Sequence, residues 1–159
     1  MASTLDILNR LNRHKVEFVV VGGLAGVVHG SALVTEDVDI CAPLNQENLT
    51  RILAALAEVK PCFRMSPHRP LLPCEAERLA GYKNLYLITD LGQIDFLSEI
   101  TGIGGYDEVS QHTIRVDLAG VPVQVLDLDA LIASKKAMGR AKDIRAATEL
   151  EAIRDRLRR

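Results

Sequence analysis

The stretch Val19-Val20-Val21-Gly22-Gly23 is followed, after a spacer of thirteen residues, by Asp37-Val38-Asp39-Ile40. No other part of the chain restricts its possible folds as much. A run of β-branched residues favours a strand, and the two glycines interrupt it. In the second segment acids alternate with apolar residues. Successive side chains on a strand point to opposite faces, so Asp37 and Asp39 project from one face and Val38 and Ile40 from the other. Two carboxylates side by side in an apolar setting repel each other and lose hydration. A divalent cation relieves both costs, so the pattern predicts a metal site facing a glycine-lined phosphate pocket.

The 159 residues suit one compact domain, 1–159, with little room for a second independent core. With 48% of residues apolar and 25% charged, the composition is that of a soluble globular protein. A formal net charge of -2 gives no electrostatic case for binding nucleic acid in bulk, although a local site for a polyanion does not need a basic chain. Cys41, Cys62 and Cys74 are odd in number and lack metal-ligand spacing, which argues against a disulfide framework or a zinc site. The N-terminus carries no basic region followed by an apolar run, and no apolar segment approaches the roughly 20 residues that span a bilayer. A cytoplasmic protein without a membrane partner is expected.

Periodicity predicts a mixed β-sheet with packed helices, an α/β (α+β) fold. Ser3 and Asp6 read as the capped start of a first helix through Leu11. Strands are expected at Glu17 to Val21 and Glu36 to Cys41, with a short helix from Leu24 to His29 starting at the glycines. Asn45 caps an amphipathic helix from Gln46 to Val59. Pro61 to Pro73 holds four prolines and reads as a long loop without regular structure. Two hairpins follow, Asn84–Thr89 with Gln93–Leu97 and His112–Asp117 with Val121–Leu126, separated by a loop at Gly102–Gly105. Two helices, Leu128 to Met138 and about Lys142 to Leu157, close the chain on either side of Gly139.

A third acid strengthens the site. Asp95 stands alone in the apolar strand Gln93-Ile94-Asp95-Phe96-Leu97, where an acid is unusual unless paired or bound to metal. If that strand neighbours the one carrying Asp37 and Asp39, the three carboxylates can converge. Such a set suits two Mg²⁺ ions clamping a triphosphate. Gly22-Gly23 would let a phosphate approach the backbone, though a tight strand-to-helix turn explains the pair equally well. Lys135 falls seven, four and three residues after Leu128, Leu131 and Ile132, on the apolar side of its helix. There it either snorkels outward or reaches into a site to meet phosphate. Lys136 reads as a solvated neighbour, Arg140 and Lys142 as caps of the preceding helix, and Asp143 as a cap of the last one. Lys83-Asn84 could touch substrate, His29 reads as a helix-end residue, and Arg64, His68 and Arg69 could form a basic lip on the long loop.

Gly22-Gly23, the thirteen-residue spacer, Asp37-x-Asp39 and the later strand with Asp95 together resemble the nucleotidyltransferase superfamily, of polymerase-beta-like fold. Val21–Ala25, His29-Gly30 and Thr35-Glu36-Asp37-Val38-Asp39 are similar to small bacterial nucleotidyltransferases, including those related to abortive-infection toxins. Lys135 to Asp143 resembles their closing motif. The resemblance implies Asp37, Asp39 and Asp95 as catalytic metal ligands for Mg²⁺ or Mn²⁺, and Gly22, Gly23, Thr35 and Lys135 as nucleotide contacts. It further implies an NTP substrate, a tRNA or protein acceptor, and a toxin-antitoxin role. Gly23 stands where many members have Ser, and Leu33 where small relatives often carry Arg. Leu33 leaves open the alternative of a catalytically degenerate domain of the same fold that binds a nucleotide or a protein partner.

Overall fold

The computed structural model describes residues 2–33, 35 and 37–159. A helix α1 (Ala2–Arg13) precedes a short strand β1 (Val19–Val21), which runs without a loop into helix α2 (Gly22–Val28). Strand β2 (Val38–Cys41), helix α3 (Gln46–Leu56) and a short strand β3 (Cys62–Phe63) follow. Next come the hairpin β4 (Asn84–Thr89) and β5 (Gly92–Leu97), and a small pair β6 (Glu99–Ile100) and β7 (Gly104–Gly105). Helix α4 (Tyr106–Val109), the hairpin β8 (Thr113–Leu118) and β9 (Val121–Leu126), and helices α5 (Leu128–Met138) and α6 (Ala141–Leu157) complete the chain.

The main sheet has the order β3-β4-β5-β2-β1-β9-β8. Strands β2 and β5 run parallel, as do β1 and β9, and the other neighbours are antiparallel. The mixed sheet expected from the two hairpins is therefore present. Strand β1 lies inside it, which explains its unbroken valines: both faces are covered, and all three residues are buried. Their neighbours Ile40, Phe96, Val125 and Leu24 join a continuous apolar core that extends to α1, α3 and α5. Among the described residues no helix is long and apolar enough to cross a membrane.

Several element ends differ from expectation, each for a local reason. Helix α1 already includes Ala2, so Ser3 lies within its first turn and does not cap it, while Asp6 pairs with Arg10 at 2.9 Å. Glu17 stays out of β1 because Asn48 of α3 takes both of its backbone groups, accepting from Glu17 N and donating to Glu17 O. Buried Asn48 also donates to the Pro43 carbonyl, so α3 is fastened to the sheet through one side chain. Asn45 caps α3 as expected, accepting from Asn48 N at 2.8 Å. That helix ends at Leu56, and a tighter turn over Ala57–Val59 completes the expected span.

The proline-rich segment is more regular than its composition predicts. Cys62 and Phe63 lie between prolines and keep their N–H groups, so they form β3 and extend the sheet beyond β4. Phe63 N donates to Pro70 O, and Leu72 N to Pro61 O, folding the segment back on itself. The Gly102–Gly105 loop likewise contributes β7, paired with β6. At the far end Gly139 (φ +73°), not Arg140 or Lys142, caps α5, donating to Lys135 O. Asp143 sits in the first turn of α6, where it pairs with Arg140 at 2.6 Å and leaves the cap position to Arg140 itself.

Candidate functional site

The site is built from the register of three central strands. Val21 at the end of β1 pairs with Asp39 in β2, and Asp39 pairs with Asp95 in β5. Directly paired residues share a face, so Asp39 and Asp95 emerge side by side. Asp37 precedes β2 and is exposed. Strand β1 stops opposite Asp39, so Asp37 has no partner in β1. Glu36, expected in the same strand, lies outside the described residues.

Gly22 closes the first wall. Its φ of +65° suits glycine, and a Cβ there would meet the Asp39 side chain, with the Asp39 Cβ only 2.9 Å away. The missing side chain is what lets the start of α2 lie against the carboxylate. Gly23 is less constrained, with Thr35 as its nearest side-chain neighbour, 3.3 Å from where a Cβ would be.

Gly22, Gly23, Thr35, Asp37, Asp39, Asp95 and Lys135 all line one open cavity of about 560 Å³. The structure thus brings together the three acids, the two glycines, Thr35 and Lys135, but not the other candidate contacts named from the sequence. Leu33, Tyr86, Arg140 and Lys142 line the same cavity. Lys135 is half-buried on α5 and has no salt-bridge partner among the described residues, whereas Lys136 is exposed and pairs with Glu151 at 3.2 Å.

Electrostatics tie these groups to one another. Burial holds the Asp39 carboxyl above its ordinary value, and the charges of Asp95 and then Asp37 push it further the same way. Lys135 and the Gly23 backbone N–H favour the charged form and oppose that shift. Asp39 therefore lies in an excess of negative charge that the protein only partly offsets. Oxygen donors with surplus charge are the chemistry that suits Mg²⁺ or Mn²⁺, so Asp37 and Asp39 fit a hard divalent cation.

Asp95 is engaged differently. Arg64 Nη2 lies 2.9 Å from Asp95 Oδ1 and 2.8 Å from Oδ2. Among the described residues no three His, Cys, Asp or Glu side chains are grouped so as to hold a metal ion. The partner of Asp95 is what sequence reasoning missed. Arg64 was visible only as a basic residue on a presumed loop, and the signal that could have placed it is the two-residue strand just before it. The other loop cations do not join the site: His68 and Arg69 occupy an exposed turn with positive φ. Lys83 and Asn84 line a separate cavity with Ser98 and Thr101. His29 ends α2 as expected, its Nε2 within 2.8 Å of the Leu126 carbonyl on β9.

Neither a protein-family model nor a curated protein matches the chain. A solved structure from Thermotoga maritima, a "putative nucleotidyltransferase", superposes with a TM-score of 0.55 at 20% identity, over 96% of this chain and 88% of that one. The fold is nucleotidyltransferase-like. At this identity the likeness speaks for the fold alone.

Proposed function

We propose that the protein transfers a nucleotidyl group from a nucleoside triphosphate to a hydroxyl acceptor. The observation that carries this reading is the register of Val21, Asp39 and Asp95, which sets two acids against Gly22 in the cavity that also receives Lys135. Asp37 and Asp39 would hold Mg²⁺ or Mn²⁺, which when bound supplies Lewis-acid stabilisation of phosphate oxygens. Gly22 and Gly23 leave the backbone open to the phosphates, with Thr35 beside them. Lys135, which lines the same cavity, offers a positive charge to the same phosphates. The acceptor hydroxyl attacks the α-phosphorus in line, a new P–O bond forms, and pyrophosphate leaves as its bond to that phosphorus breaks. The acceptor's proton passes to the carboxylate cluster, in which Asp95, the third acid, is held by Arg64.

A tRNA end, a protein side chain or a small molecule would each present a suitable hydroxyl. A toxin role in the cytoplasm is part of the same proposal and rests on the sequence resemblance. The likeness in fold supports the general reaction class, not the acceptor. One observation favours a second reading, nucleotide binding without turnover: Arg64 occupies both oxygens of Asp95, and Leu33 presents no charge to the cavity.

The test is incubation with Mg²⁺ or Mn²⁺ and each of the four α-labelled NTPs, with and without bulk tRNA and lysate proteins. Label should pass to one acceptor class with the wild type and not with Asp39→Asn. Nucleotide binding without transfer in any mixture would support the second reading. No nucleotide binding at all would sink both.

A further inference from the structure

The carboxylate row continues beyond Asp95 to the edge of the sheet. Tyr86 in β4 pairs with Asp95, and Phe63 in β3 pairs with Leu87. Arg64 thus falls opposite Tyr86, and its backbone N–H donates to the Tyr86 carbonyl at 2.9 Å. Tyr86, Asp95 and Asp39 occupy one row across β4, β5 and β2, and Arg64, the residue that follows β3, continues it at the edge of the sheet. The arginine reaches the acids because β3 and this backbone bond hold the start of the turn against β4.

Its contact with Asp95 has an unusual form. An arginine that braces a carboxylate usually offers two nitrogens in a fork. Here one nitrogen, Nη2, lies almost equidistant from both oxygens, at 2.9 and 2.8 Å. A cation chelated by both oxygens of a carboxylate occupies the same place. The pair is largely shielded, with 21% of the Arg64 side chain and 11% of the Asp95 side chain exposed. The guanidinium carbon lies 5.7 Å from the centre of the Tyr86 ring, which favours positive charge at that point. Arg64 Nε is buried and has no partner among the described residues. The geometry serves the charge of the guanidinium more than its hydrogen-bonding capacity.

We propose that Arg64 is the built-in cation of the carboxylate row, holding Asp95 in place of a second divalent ion, so that the site binds one divalent ion, at Asp37 and Asp39. The inference rests on the metal-binding reading above and goes beyond it by fixing the number of ions and the residue that sets it. A positive charge already chelated by Asp95 removes both oxygens as ligands and repels an incoming cation.

The experiment is a Mn²⁺ titration of the full chain without nucleotide, with free Mn²⁺ followed by electron paramagnetic resonance. Wild type should bind one ion, and Asp95→Asn should leave that count at one. Arg64→Gln should gain a second ion or bind about tenfold more tightly, because a carboxylate has been freed for the metal. Arg64→Gln/Asp95→Asn should lose the gain. Two ions in the wild type, or an Arg64→Gln titration that matches wild type, overturns the proposal. If Arg64→Gln does not fold, the wild-type and Asp95→Asn counts decide alone. No ion bound by any form removes the metal-binding reading together with this one, whereas two ions in the wild type leave that reading standing.

Discussion

Replacing Gly22 by alanine tests how closely β1 and α2 approach the acids. Two costs add at this position. Alanine at φ +65° is strained by about 1–2 kcal/mol. The new methyl also meets the Asp39 side chain, with the Asp39 Cβ at 2.9 Å. Because that Cβ is fixed to the β2 backbone, rotating the carboxylate does not clear the overlap. Forced overpacking of this kind costs about 1–3 kcal/mol, so the total is about 3 kcal/mol. For a chain of this size each kcal/mol lowers the melting temperature by roughly 2–4 °C, which predicts a fall of about 9 °C. Gly139 isolates the backbone part: its φ is +73°, and a Cβ there has its nearest neighbour, the Lys136 carbonyl oxygen, 3.9 Å away. Gly139→Ala should therefore fall by about 4 °C only. Differential scanning calorimetry of both variants reads the difference. If Gly22→Ala melts no lower than Gly139→Ala, the close approach to Asp39 does not explain the glycine, and the site geometry argued from it is wrong.

Three further outcomes are expected. Burial and two neighbouring acids raise the proton affinity of Asp39 in the folded state, so the unfolded state binds fewer protons and stability falls as pH rises. In metal-free buffer Asp39→Asn should melt above wild type at pH 7, with the gain fading as pH falls toward the ordinary value of 3.8; an unchanged or lower melting temperature at pH 7 would count against a strained acid. Glu149 has the opposite sign: the Ser31 hydroxyl and the Ala32 N–H hold it below its ordinary 4.5, so its contribution is present above that value and lost as pH falls through the folded one. Glu149→Gln should cost about 1 kcal/mol in urea denaturation at pH 7, discounted for partial solvent access, and much less once the wild-type acid is protonated. Finally, burial pushes the Cys41 thiol up to about 12, whereas Cys74 is exposed. Ellman's reagent at pH 8 should label Cys74 rapidly and Cys41 only on unfolding; fast labelling of all three thiols in native buffer would show that β2 is not closed as described.

How much of this molecule is legible in its sequence depends on the distance over which the deciding interaction acts. The Asn45 cap, the hairpin turns and the Gly139 stop between α5 and α6 are set within a few residues, and local residue types announce them. In the hairpin of β8 and β9, Ala119 and Gly120 both take positive φ, and Asp117 Oδ1 accepts from Gly120 N at 2.6 Å. Gly22, Asp39, Asp95 and Lys135 were legible as a candidate site because each is marked by its place: a glycine where a strand gives way to a helix, acids in apolar strands, a lysine on an apolar helix face. Oddity marks a residue without naming its partner. Arg64 lies 31 positions before Asp95, within a segment whose prolines suppress every strand signal except two residues. Only the pairing of β3 with β4, and of β4 with β5, carries it to the acids. The same limit explains Glu17, whose backbone is claimed by Asn48, also 31 positions away. For this fold the distinction has a chemical consequence. The sequence displays three carboxylates and suggests a site with full anionic charge, while the register cancels one of them before any ligand arrives.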